Sequence, residues 1–138
     1  MTPRLADFEG AWTLTRTIRD DLAGSTARFD GRAVFTPVAN ELAYTETGTL
    51  TMDCQPPMQA ERRYHWREDG TQIAIDFDDG RFFHSFAPDV PEATHWCDPD
   101  TYKVAYDFSE WPRWRATWNV SGPRKFYQMV SFYESLQI

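Results

Sequence analysis

Cysteine is scarce in this chain of 138 residues, with Cys54 and Cys97 the two examples. The two could pair, but in a chain expected not to be secreted they read more readily as free thiols, so a disulfide framework is not expected to be the basis of the fold. Long apolar runs are also missing. The longest span a few residues, against the roughly 20 that a membrane-crossing helix needs. The opening Met1-Thr2-Pro3-Arg4-Leu5-Ala6-Asp7 has no signal-peptide core. A cytoplasmic protein with no membrane partner is therefore expected. Basic residues are outnumbered, 14 Lys and Arg to 21 Asp and Glu, for a net charge of -7, and they do not cluster. A phosphate-neutralising face requires the opposite, so nucleic acid is not an expected partner. No metal-knuckle spacing, glycine-rich phosphate loop or Gly-x-Ser-x-Gly elbow occurs. Nothing of linker or repeat character divides the chain, and one domain over residues 1–138 is expected.

Aromatic residues are abundant at 16%, and large rings favour strands and need burial. Apolar and polar residues alternate with period two, interrupted every eight to twelve residues by turn chemistry, which predicts about ten antiparallel strands. Trp12, Leu14, Arg16 and Ile18 share the inner face of the first strand. Phe29, Gly31, Ala33 and Phe35 follow on the second, and Leu42, Tyr44, Glu46 and Leu50 on the third. Pro56-Pro57 marks a loop, because proline cannot donate to a ladder.

Asp69-Gly70 and Asp79-Gly80 have the composition of two-residue type I′ turns. Centring hairpins on them pairs Trp66 with Ile73, Tyr64 with Ile75, Arg62 and Phe82 with Phe77, and His84 with Ile75. Bends at Pro88 to Pro91 and Asp98 to Thr101 then pair His84 with His95, Phe82 with Cys97, Cys97 with Tyr102 and His95 with Val104. Directly opposed residues share a face. The inner face so built carries Arg62, Tyr64, Trp66, Phe82, His84, His95, Cys97, Tyr102 and Tyr106. Its reverse carries Arg63, His65, Arg67, Lys103 and Asp107, the solvent side. In the last two strands Tyr127 and Met129 are expected to face inward opposite Trp118 and Ala116, leaving Phe126, Val130 and Phe132 outside.

Such a meander closes most simply into an up-and-down barrel, which removes sheet edges. Phe8-Glu9-Gly10-Ala11-Trp12 resembles the Gly-x-Trp signature of lipocalins and their calycin relatives. That resemblance implies an all-β, single antiparallel calycin-like barrel with Trp12 lying under an arginine, for which Arg124 is the matching position. The Asp20 to Ser25 loop is too short for the helical lid of fatty-acid-binding proteins. Five motifs in order resemble the family catalogued as domain of unknown function 6314. They are Gly10-Ala11-Trp12 with Arg16 and Asp20, Arg62 to Trp66, Asp79 to His84, His95 to Tyr102, and Gly122 to Lys125 with Tyr127. The resemblance implies no activity.

The interior therefore has to supply the function. Its expected polar lining is Arg16, Tyr44, Glu46, Arg62, Tyr64, His84, His95, Cys97, Tyr102 and Tyr106. Buried charges need partners, and two arginines against Glu46 leave donors in excess. The leading expectation is a binding barrel for a small molecule with an anionic or carbonyl end and an apolar body. Three alternatives stay open. His84 and His95 could serve as acid and base in a proton-transfer enzyme of isomerase or dehydratase type, although no nucleophile or oxyanion arrangement is visible and a non-enzyme is favoured. An inward histidine could ligate haem. The barrel could also be filled and structural, with Phe83, Trp96, Phe126 and Phe132 forming a dimer or partner surface. Cys97 lies one pair away from the two histidines, so no metal and no cofactor are expected.

Overall fold

Ten strands form one antiparallel sheet in the computed structural model, which describes residues 2–136. After a 3₁₀ turn at Leu5–Phe8 come β1 (Gly10–Asp20), β2 (Ser25–Val38), β3 (Glu41–Met52), β4 (Met58–Asp69) and β5 (Gln72–Phe77). They are followed by β6 (Phe82–Phe86), β7 (Glu92–Cys97), β8 (Asp100–Glu110), β9 (Arg113–Gly122) and β10 (Lys125–Ser135). Neighbours in sequence are neighbours in space, and β1 pairs with β10, so the sheet curls into a nearly closed barrel. The remaining gap is the β6–β7 seam, crossed by one isolated bridge, Ala87 to Val90. Among the described residues no helix is long and apolar enough to cross a membrane.

Three hairpins are tighter or differently centred than the composition of their turns implies. The β4–β5 turn is Gly70-Thr71, which pairs Trp66 with Ile75 and Tyr64 with Phe77. In the β7–β8 hairpin Cys97 opposes Asp100 and His95 opposes Tyr102. Between β9 and β10 Gly122 opposes Lys125, and Met129 opposes Trp118. Each partner moves by two residues, which restores the same side-chain parity. The faces therefore hold although the pairs change, and Met129, Ser131 and Tyr133 are buried.

Two departures do move side chains. On β6, His84 opposes Ile75 as expected, but Asp76 opposes Phe82, with Phe83 as the extra residue of a bulge. Phe82 is consequently 51% exposed and Phe83 1%, the reverse of the expected orientation. The second is the seam. His84 and His95 do not form a cross-strand pair, nor does Phe82 pair with Cys97, because β6 and β7 make no ladder. Pro88 and Pro91 interrupt the connection, and the Pro91 carbonyl accepts from Tyr106 N–H at 2.8 Å, tying the start of β7 to β8. Cys97 sits at the open rim and is exposed, as is Cys54.

One end of the barrel is filled. Phe8, carried inward by the 3₁₀ turn, packs edge-on against Trp111 and Trp114 and against Trp66, with centroids 5.0 to 5.3 Å away. Trp12 donates to the Phe8 carbonyl at 2.9 Å and packs on Trp111 and Trp114. Arg124 does not cover it. That residue lies in the exposed β9–β10 turn at the opposite end, near Asp21, whose N–H donates to Phe126 O. On the outside, Trp96, Thr101, Ser121 and Phe126 are successive cross-strand partners, with Trp96 and Phe126 exposed.

Candidate functional site

Above the aromatic plug, inward positions of β1, β3 and β10 become polar. Arg16 donates to both carboxylate oxygens of Glu46, at 2.6 and 3.0 Å, and through Nε to Ser131 Oγ at 2.7 Å. The Tyr44 hydroxyl lies 2.6 Å from Glu46 Oε1 and 2.8 Å from the Tyr133 hydroxyl. With the carboxylate as acceptor, Tyr44 donates to Glu46 and Tyr133 donates to Tyr44. Burial alone raises the Glu46 carboxyl, but hydrogen bonds and charge from Arg16, with Tyr44 and Arg62, hold it below the ordinary range. Burial also opposes the Arg16 charge, and Glu46 more than restores it. Burial raises the hydroxyls of Tyr44 and Tyr133, the latter to about 12.

On the facing wall His84 Nε2 lies 2.8 Å from the Tyr106 hydroxyl. Burial, aided by the charge of His95, depresses the His84 imidazole to about 3, so it is neutral at physiological pH. Phe83 contacts both histidines, its ring 4.3 Å from His84 and 5.3 Å from His95. Burial lowers His95 as well.

Arg62 is different from Arg16. It opposes Glu46 across the β3–β4 ladder, is half-buried, and lies with its guanidinium carbon 5.9 Å above the Trp118 ring. It has no carboxylate within ion-pair distance among the described residues, whereas Arg16 holds both oxygens of Glu46, and the Arg62 side chain lies against the Tyr64 hydroxyl. Tyr64, Phe77, Phe83, Tyr102 and Trp118 form the surrounding aromatic mouth. Lys125 reaches it too, paired to Asp100 at 3.1 Å and 3.4 Å from the Tyr102 hydroxyl.

A cavity runs inward from Arg62, Tyr64 and Trp118 to Tyr106 and Trp114. The space open to the centre of a water-sized sphere is about 30 Å³, room for about two water molecules. Of the side chains expected to line it, Arg16, Tyr44, Glu46, Arg62, Tyr64, His84 and Tyr106 do so. His95 and Tyr102 lie beside its mouth, and Cys97 is outside. Trp114, on the inward face of β9 with Ala116 and Trp118, lines it too, as do Phe83, Ser131 and Tyr133, which were not expected there. Ser131 and Tyr133 were legible from their parity with Met129, whereas Phe83 depends on the bulge. Among the described residues no three His, Cys, Asp or Glu side chains converge as a metal site.

The signature of a family of unknown function, DUF6314, matches residues 8–135. The chain belongs to the DUF6314 family. No curated protein matches it. In structure, this DUF6314 barrel is similar to the S-type phycobiliprotein lyase CPES from Guillardia theta, with a TM-score of 0.62. The likeness covers 94% of this chain and 87% of that one at 9% identity, so it is a likeness of fold. What the two share is the fold, for this chain an all-β, antiparallel up-and-down barrel of ten strands.

Proposed function

We propose that this barrel binds a small molecule with an anionic or carbonyl end and a flat apolar body, seated at its open end. The observation that carries the reading is Arg62, a half-buried guanidinium over Trp118 with no carboxylate partner among the described residues. A charged group held against low-dielectric aromatic walls gains most from a ligand oxygen. Trp118, Phe77 and Tyr102 supply faces for a conjugated body. The narrow cavity behind Arg62 supports a body seated at the mouth with a polar tip reaching the interior. The fold neighbour, named as a phycobiliprotein lyase, supports a small-molecule role for this barrel type.

The test is calorimetric titration and thermal shift with 2-naphthoate, its neutral amide and biliverdin, a larger conjugated dicarboxylate. Binding of either carboxylate with weaker binding of the amide supports the reading. Arg62→Ala then weakens the carboxylate about tenfold to a hundredfold, the worth of a charge-assisted hydrogen bond. Absence of binding by all three, or binding of a carboxylate that Arg62→Ala leaves unchanged, overturns it.

A further inference from the structure

Two buried polar atoms have no partner among the described residues, His84 Nδ1 and Trp114 Nε1. Both residues line the central cavity, one from β6 and one from β9. The indole nitrogen is a donor and nothing else. The imidazole nitrogen can be either, and Tyr106 decides which. Its buried hydroxyl makes one hydrogen bond among the described residues, to His84 Nε2 at 2.8 Å. If Nε2 carried the proton, the Tyr106 O–H and His84 Nδ1 would both be left unpaired. If Tyr106 donates to Nε2, the only unpaired group is Nδ1–H. The second arrangement leaves fewer buried groups unsatisfied, so the cavity offers two N–H donors and no matching acceptor.

Its electrostatics point the same way. Arg16 and Arg62 stand on the lining against one carboxylate, Glu46, which Arg16 already holds. Two N–H groups and a surplus guanidinium repel a cation and attract an oxygen lone pair. The Trp114 ring is pinned by a parallel stack on Tyr133, centroids 3.7 Å apart. Tyr106 packs against both donor residues, with centroids 6.0 Å from His84 and 6.3 Å from Trp114. We propose that the inner cavity is a binding site for a hydrogen-bond acceptor oxygen, with His84 Nδ1–H and Trp114 Nε1–H as its donors. The space suits water, formate or the carboxylate or carbonyl tip of a longer molecule.

This inference concerns the depth of the cavity and does not depend on which body sits at its mouth. The experiment is ¹⁵N and ¹H NMR of the full chain near neutral pH, reading the His84 ring and the Trp114 indole while sodium formate is titrated against sodium chloride. Support consists of the Nδ1–H tautomer of His84, plus contacts of both N–H protons with long-lived water, or downfield shifts of both on formate addition at millimolar concentration. Trp114→Phe then weakens formate about tenfold as read at His84. An Nε2–H tautomer overturns the proposal, as does the absence of both water contact and formate response at the two protons. Failure of naphthoate to bind is read at Arg62 and Trp118, so the two readings fail separately.

Discussion

Arg16 and Arg62 share one carboxylate unequally. Arg16 takes both oxygens of Glu46, while Arg62, directly opposite Glu46 on β4, lies over the Trp118 ring and against the Tyr64 hydroxyl. The same residue type thus holds the scaffold in one position and is available to a ligand in the other.

The first prediction follows from that division. Arg16→Ala strands Glu46 in the interior, and removing one partner of a buried ion pair costs about 3–5 kcal/mol. Arg62→Ala removes a half-exposed cation with no such partner, and its cost is expected within about 1 kcal/mol. Urea denaturation of both variants measures the difference. Equal losses would place Arg62 in the scaffold as well.

Acid lability is the second. His84 titrates near 3 in the fold and near 6.5 when unfolded, so between these values the unfolded chain binds the proton and the folded one does not. Stability is undiminished above about pH 6.5 and falls as pH drops towards 3. From this group alone the loss is about 2 kcal/mol by pH 5. His95, also lowered by burial, acts in the same direction. Glu46, depressed in the fold, adds a loss at lower pH as it protonates. Urea midpoints at pH 7.5, 6 and 5 should decline in the wild type and decline less in His84→Phe. An unchanged slope in that variant would remove His84 as the source.

A third prediction concerns Gly48. A Cβ there would sit 2.7 Å from Phe29 Cζ and closer still to the Asp30 carbonyl. Phe29 in turn lies under the Arg16 guanidinium, 5.4 Å from its carbon. Gly48→Ala therefore displaces backbone and the ring beneath the ion pair, at about 1–3 kcal/mol. Gly24→Ala, at a turn where nothing lies within 4 Å of a Cβ, meets only the strain of its positive φ and is the control in thermal unfolding.

Side-chain parity explains what the sequence made legible. Trp66, Tyr64 and Arg62 face inward whether the β4–β5 turn is centred on Asp69-Gly70 or on Gly70-Thr71, because both registers preserve the period of two. The same tolerance carried Tyr102, Met129 and the barrel itself. Parity failed where a residue was inserted, at Phe83, and where backbone pairing stopped, between β6 and β7. It says nothing of depth along a strand. Cys97 has the parity of His95 but lies at the rim, beyond the walls that would cover it.

The bulge on β6 makes a sharp test because it exchanges the roles of two adjacent phenylalanines. Phe83 stacks on Phe77 at 4.7 Å, meets Trp118 edge-on at 5.2 Å, and packs edge-on against both His84 and His95. Phe82 faces solvent. Truncating a buried phenylalanine costs about 3–5 kcal/mol, so Phe83→Ala should lose that much, and Phe82→Ala should stay within about 1 kcal/mol. Regular pairing through Phe77 and Phe82 would reverse the order. Chemical denaturation of the two variants therefore reads the β5–β6 register directly. Phe83→Leu keeps the volume roughly filled, so its loss should be smaller, and because it removes the ring packed on His95 it should change the His95 titration read by NMR.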